Sequence, residues 1–125
     1  MLECRSCGAT YDSGPGEPWR CRDCGHALDF AETPMPDSDD PAVDRQRGLW
    51  AFSAFLPVGR EVTLGEGWTP VAESTAWDAQ FKLDYVFPSG SYKDRGAALT
   101  LSRAAELGVE RVVEDSSGNA GAAIA

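Results

Sequence analysis

Lysine is nearly missing from this chain. Two lysines, Lys82 and Lys93, stand against nine arginines and twenty acidic residues, for a net charge of −9. Such an acidic balance excludes the basic footprint of a nucleic-acid binder and disfavours anionic membranes as partners. It would suit solubility at high salt, although an ordinary acidic protein accounts for it equally well. Long apolar runs are also missing: nothing approaches the ~18 residues of a membrane span. The N-terminus, "MLECRSCGAT", carries charge within a few residues and no apolar core of a secretory signal, so a cytoplasmic location is the default expectation. Histidine occurs once, at His26.

What is present falls into three zones over 125 residues. Residues 1–30 hold all four cysteines. Residues 31–47, "AETPMPDSDDPAVDRQR", combine three prolines with many charges and read as a linker. From Gly48 the chain turns apolar and aromatic, beginning "GLWAFSAFLPV".

The cysteines form two C-x-x-C pairs, Cys4/Cys7 and Cys21/Cys24, each followed by glycine in "CRSCG" and "CRDCG". Four soft ligands on two tight knuckles are the donor set of a structural zinc ribbon. The glycine lets the backbone curl so that its N–H groups face the sulfurs. Disulfides are the alternative, and a reducing compartment argues against them. Four thiolates close the coordination sphere, so His26 is expected on the knuckle surface and not as a ligand.

Downstream, "AQFKLDYVF" reads as a strand, residues 94–107 as a helix ended by Gly108, "VERVVE" as a strand, and "NAGAAIA" as the start of another helix. The alternation predicts an α/β fold with parallel neighbouring strands. The sequence ends just inside that last helix, and the expectation is therefore the front part of a larger, incomplete parallel-sheet fold.

Two loops carry the chemistry. In "PSGSYKDRG", residues 88–96, Ser91 and Asp94 are spaced as a capping box, which puts Lys93 in the first helical turn. The positive end of the helix dipole disfavours an ammonium there, and partial burial would act the same way. A neutral lysine is a nucleophile toward carbonyls. A surface lysine paired with Asp94 or Glu106 is the plainer alternative. In "SSGNAG", residues 116–121, Ser116 and Ser117 offer hydroxyls and Gly118 permits close approach. The N–H groups around Asn119 and Ala120 suit a carboxylate or phosphate.

Together these two loops resemble the type II fold of pyridoxal-phosphate (PLP) enzymes, the tryptophan-synthase β-like superfamily. "LGEGWTPV" and the four-cysteine ribbon are similar, more narrowly, to threonine synthases of the archaeal kind. The resemblance runs over nearly the whole chain. It implies that Lys93 condenses with the cofactor aldehyde and later moves protons on the substrate. It implies that Asn119 bonds the cofactor's ring hydroxyl, and that Ser116, Ser117, Gly118, Asn119 and Ala120 cradle the substrate carboxylate. The implied reaction converts O-phosphohomoserine and water to threonine and phosphate. The implied partners are a small phosphorylated amino acid and, in the full-length protein, further copies of itself; nucleic acid and membrane are not among them.

Phe87, Tyr92 and Ala120 stand where the family often has Asn, Phe and Thr. These departures bear on the substrate, not the cofactor. The family's phosphate loop and pyridine-nitrogen partner lie beyond residue 125, so weak cofactor binding and no turnover are expected of this chain alone. Two other readings stay open: a β-replacement or dehydratase relative, and a zinc-ribbon binding module joined to a non-catalytic remnant.

Overall fold

The computed structural model describes residues 1–37, 42–59 and 61–125; residues 38–41, inside the segment read as a linker, and residue 60 lie outside it. Three two-residue strands open the chain: β1 (Leu2–Glu3), β2 (Thr10–Tyr11) and β3 (Asp29–Phe30). They form an antiparallel sheet in the order β2-β1-β3, with Leu2 opposite both Tyr11 and Phe30. Strands this short cannot hold themselves together. The two cysteine knuckles between them supply the rest of the local order.

A run of 3-10 turns, Arg45–Phe55, follows and is broken at Gly48, whose φ is 58°. It delivers Trp50 into the core. Trp50, Val58 and Ala98 are buried together, and Phe30, Leu49, Leu56 and Leu99 pack around them. The core therefore draws on the N-terminal sheet, the 3-10 segment and the long helix at once.

Strands β4 (Val71–Ser74) and β5 (Ala79–Lys82) make an antiparallel hairpin in register Val71↔Lys82. "AQFKLDYVF" is thus a strand only through Lys82. Beyond it the chain turns through a 3-10 segment, Asp84–Val86. Helix α1 spans Lys93–Glu106 and helix α2 spans Asn119–Ile124, and the two pack against each other. Alanine, serine and glycine along α1 allow this: Ala97, Ala98 and Ser102 are buried, as is Ala123 of α2. Gly108, at φ 72°, ends α1 as the sequence predicts. Its N–H bonds Ala105 and the Val109 N–H bonds Ala104, the paired closure of a Schellman motif.

The expected parallel sheet is not formed among the described residues, where both sheets are antiparallel. "VERVVE" runs without a partner strand, and Val113 is 88% exposed. A strand exists only through its ladder, and β-branched composition alone cannot supply one. What stands is a mixed α/β chain. No helix among the described residues is long and apolar enough to cross a membrane.

Candidate functional site

The two cysteine knuckles are near copies. Gly8 N–H bonds the Cys4 carbonyl at 2.8 Å and Gly25 N–H bonds the Cys21 carbonyl at 2.9 Å. Cys4 N–H then bonds Ala9, and Cys21 N–H bonds His26. Both glycines sit at positive φ, 77° and 74°. The four sulfurs converge within 4.8 Å of one another. Cys4–Cys24 and Cys7–Cys21 lie at 3.5 Å, and Cys7–Cys24 at 3.4 Å. Four sulfurs ~2.3 Å from a tetrahedral ion would stand about 3.8 Å apart, between the short contacts and the 4.8 Å limit of the quartet, so the donor set fits zinc with small shifts. His26 is exposed and outside the quartet.

The thiols already differ. The Tyr11 hydroxyl, 3.2 Å from the Cys21 sulfur, draws that thiol down to about 6. At Cys7 the Ala9 N–H acts downward, but the Cys24 and Cys21 sulfurs and burial outweigh it and push the thiol up to about 12. Cys21 is thus biased toward the thiolate and Cys7 away from it. A bound dication would favour the thiolate at each ligand it holds.

Helix α1 begins at Lys93, so the lysine stands in the first turn. The capping box does not form. The helix is capped by Tyr92 without a side-chain bond, one residue later than the Ser91 register requires. Ser91 Oγ accepts from the Lys93 N–H at 3.3 Å. Asp94, 1% exposed, reaches back past Ser91 to the Ser89 N–H at 2.9 Å and to the Ser89 hydroxyl. The loop is therefore tied to the helix on the N-terminal side of the glycine at Gly90.

A second tie follows at once. Arg95 places both terminal nitrogens on Asp84, at 3.2 and 3.3 Å, while Thr69 of "GWTP" donates to the same carboxylate at 2.7 Å. The Arg95 guanidinium also lies over the Phe87 ring at 4.3 Å. Arg95 and Thr69 together hold the Asp84 carboxyl below its ordinary value. Sequence reading missed Thr69, Asp84 and Arg95 as parts of the site. The signal available was an arginine two residues after the lysine with an acid upstream.

Between these ties Lys93 is exposed, so burial does not add to the effect of the helix dipole there. Its nitrogen lies 5.0 Å from the Tyr92 ring centre, and among the described residues it pairs with no carboxylate. Neither Asp94 nor Glu106 takes it: Asp94 is committed to Ser89, and Glu106 to Gly59 and Arg103. The amine is thus open to a ligand.

The second loop is looser. Ser116 is half-buried, with its hydroxyl accepting from Gly118 N–H at 3.1 Å. Ser117, Gly118 and Asn119 are exposed, and Ala120 is half-buried. Gly121 packs close to Ser116, where a Cβ would come within 3.2 Å of its side chain. The packing of α1 on α2 brings the two segments into one half of the molecule, but no hydrogen bond joins Lys93 to residues 116–120 among the described residues.

A family model described as pyridoxal-phosphate dependent enzyme matches residues 62–125. Threonine synthase of Methanocaldococcus jannaschii is 34% identical over 139 aligned positions, which cover 100% of this chain and 34% of the relative. Threonine synthase of Methanosarcina acetivorans is 34% identical, covering 99% of the chain and 33% of the relative. That of Halalkalibacterium halodurans is 38% identical over 66% of the chain and 26% of the relative. The chain spans about a third of the length of the first two of these relatives. No solved structure matches.

Proposed function

Because the chain belongs to the pyridoxal-phosphate dependent enzymes, we propose that it carries the lysine and carboxylate-binding portion of a threonine synthase, acting on O-phosphohomoserine and water to give threonine and phosphate. The observation that carries this reading is the Lys93 amine. It is exposed, pairs with no carboxylate among the described residues, and is set at the start of a helix whose first turn is anchored twice, by Asp94 on Ser89 and by Arg95 on Asp84. The similarity to threonine synthases along the whole chain supports the substrate class.

Bound PLP supplies an electron sink for carbanionic character beside its aldehyde carbon. The protein's part is to bind, orient and move protons. Lys93 would hold the aldehyde carbon and carry a proton at Nζ. Its position is fixed within a turn by the two ties, which limits the orientations the amine must lose on binding. Asn119 would hold the ring hydroxyl, and its side chain makes no competing bond among the described residues. Ser116, Ser117, Gly118 and Ala120 would cradle a substrate carboxylate, Ala120 through its N–H only. Cys4, Cys7, Cys21 and Cys24 would hold a structural zinc ion that takes no part in the reaction.

Turnover is assigned to the full-length protein, since the relatives are about three times as long. The chain alone is expected to bind PLP weakly. The test is to incubate the chain with PLP, reduce with borohydride and map the adduct by mass spectrometry. Only Lys82 and Lys93 can be labelled as side chains. Label on Lys93, lost in Lys93→Ala, is expected; label on Lys82 alone, or none at saturating PLP, sinks the assignment. Product analysis of the full-length protein with O-phosphohomoserine against O-phosphoserine and serine then decides the substrate.

A further inference from the structure

Beside the apolar packing of Phe30 on the cluster that holds Ala98, the polar link between the ribbon and α1 among the described residues is one largely buried guanidinium. Arg103 of α1, its side chain 19% exposed, donates to the Ser13 hydroxyl at 2.7 Å and to the Glu17 carboxylate. These partners lie 90 and 86 residues away in sequence. Its other terminal nitrogen donates to Glu106 at 3.0 Å, and the group lies over the Phe30 ring at 5.5 Å. The Arg103 Nε finds no partner among the described residues, where the grip rests on the two terminal nitrogens. Glu17 is itself oriented, because the Gly14 N–H donates to it at 2.9 Å.

Ser13 and Glu17 sit on the loop that connects the two knuckles. One end of that loop is Tyr11, whose hydroxyl meets the Cys21 sulfur and accepts from the Arg22 N–H at 2.9 Å. The other end is Cys21. Both ends of the gripping loop are therefore set by the sulfur quartet.

We propose that Arg103 is a positioning residue through which metal in the cysteine quartet holds helix α1, and with it Lys93, in place. The proposal rests on the zinc reading of the quartet and not on the PLP reading. Loss of the ion lets four like-charged or protonated sulfurs separate, frees loop 12–20 and withdraws Glu17. The Arg103 charge is then left partly buried against Glu106 only, an arrangement that favours opening of the helix. The hairpin β4–β5 has no bond to the ribbon among the described residues and serves as the internal reference.

The experiment is amide hydrogen exchange on the chain, zinc-loaded and after zinc is stripped with a chelator. Stripping should speed exchange of the α1 amides by about tenfold or more and leave the hairpin unchanged. Glu17→Gln should show fast α1 exchange with zinc still bound, because Glu17 is no ligand. Arg103→Lys, which keeps the charge beside Glu17 and Glu106 but not the fork, should give α1 exchange between that of the wild type and that of Glu17→Gln. The proposal is overturned if the chain binds no zinc, if α1 exchange is the same loaded and stripped, or if α1 and the hairpin speed up together. Should both variants fail to fold, the wild-type chain decides by itself: α1 exchange that speeds on stripping while the hairpin stays unchanged supports the coupling, and its absence overturns it. PLP plays no part in these readouts, so failure of the cofactor assignment would leave them untouched.

Discussion

Glu66 is 1% exposed and forms no ion pair among the described residues, yet neutral donors satisfy it. Trp50 Nε1 reaches it at 2.7 Å, the Leu64 N–H at 2.8 Å, and the Thr63 hydroxyl spans both oxygens at 3.0 and 2.9 Å. Removing the acceptor orphans a buried indole N–H and a backbone N–H together. Glu66→Ala is predicted to cost about 3 kcal/mol of unfolding free energy, with Glu66→Gln intermediate, as read by urea denaturation. A loss under ~0.5 kcal/mol would place Glu66 outside the core's polar network. Asp84 makes the pH prediction. Its carboxyl is lowered in the folded chain by Arg95 and Thr69, so its stabilisation is complete above the ordinary carboxylate range and fades as pH falls through the folded value. Melting temperatures of the wild type and Asp84→Asn should therefore differ at pH 6 and converge toward pH 3, near and below the ordinary value of about 3.9. A constant gap over that range would remove Asp84 as the source.

The 3-10 segment and the "GEGWTP" turn meet backbone to backbone. A Cβ on Gly67 would lie 2.3 Å from the Gly48 Cα, and one on Gly48 would lie 2.4 Å from the Glu66 carbonyl oxygen. Only glycine permits the Leu49 N–H to reach that carbonyl at 3.0 Å. Gly67→Ala is predicted to cost about 3 kcal/mol, because backbone on both sides must move. Since Thr69 lies two residues on and supports Asp84, the same variant should slow PLP capture by Lys93, measured as the rate of borohydride-trapped adduct. Destabilisation with unchanged capture would separate the turn from the lysine helix. Segment 109–114 shows the opposite case, where a valine-rich stretch remains without a ladder because strand formation is a property of pairs of segments.

Across the molecule, α1 is the member to which everything else is fastened. Ser89 and Asp84 hold its first turn, the Ser102 hydroxyl bonds the Val62 backbone in its middle, and Gly59 and Glu17 hold its last turn through Glu106 and Arg103. A metal ion held by the four cysteines would bear on the whole chain for this reason. Elemental analysis is expected to give one zinc ion per chain. Cys4→Ser or Cys21→Ser should weaken its retention against a chelator and lower the melting temperature, because ligand-binding free energy in such ribbons is folding free energy. Retention and melting unchanged in both variants would remove the ion from the fold.

The sequence by itself determined the features that a few adjacent residues specify. These are the paired C-x-x-C-G knuckles, a helix after the lysine loop with Lys93 in its first turn, and the stop at Gly108. Each follows from local backbone geometry: positive φ at glycine, a turn of fixed span, a helix end that must satisfy its own carbonyls. The lysine loop and the Asn119 loop were legible as motifs for the same reason. Only the tertiary structure decided where the charges go. Asp94 bypasses Ser91 for Ser89, Glu66 takes Trp50, and Arg103 crosses the chain to Glu17, so that Lys93 has no carboxylate among the described residues. A carboxylate accepts any donor that burial and geometry bring within reach, and spacing along a chain does not encode which one arrives.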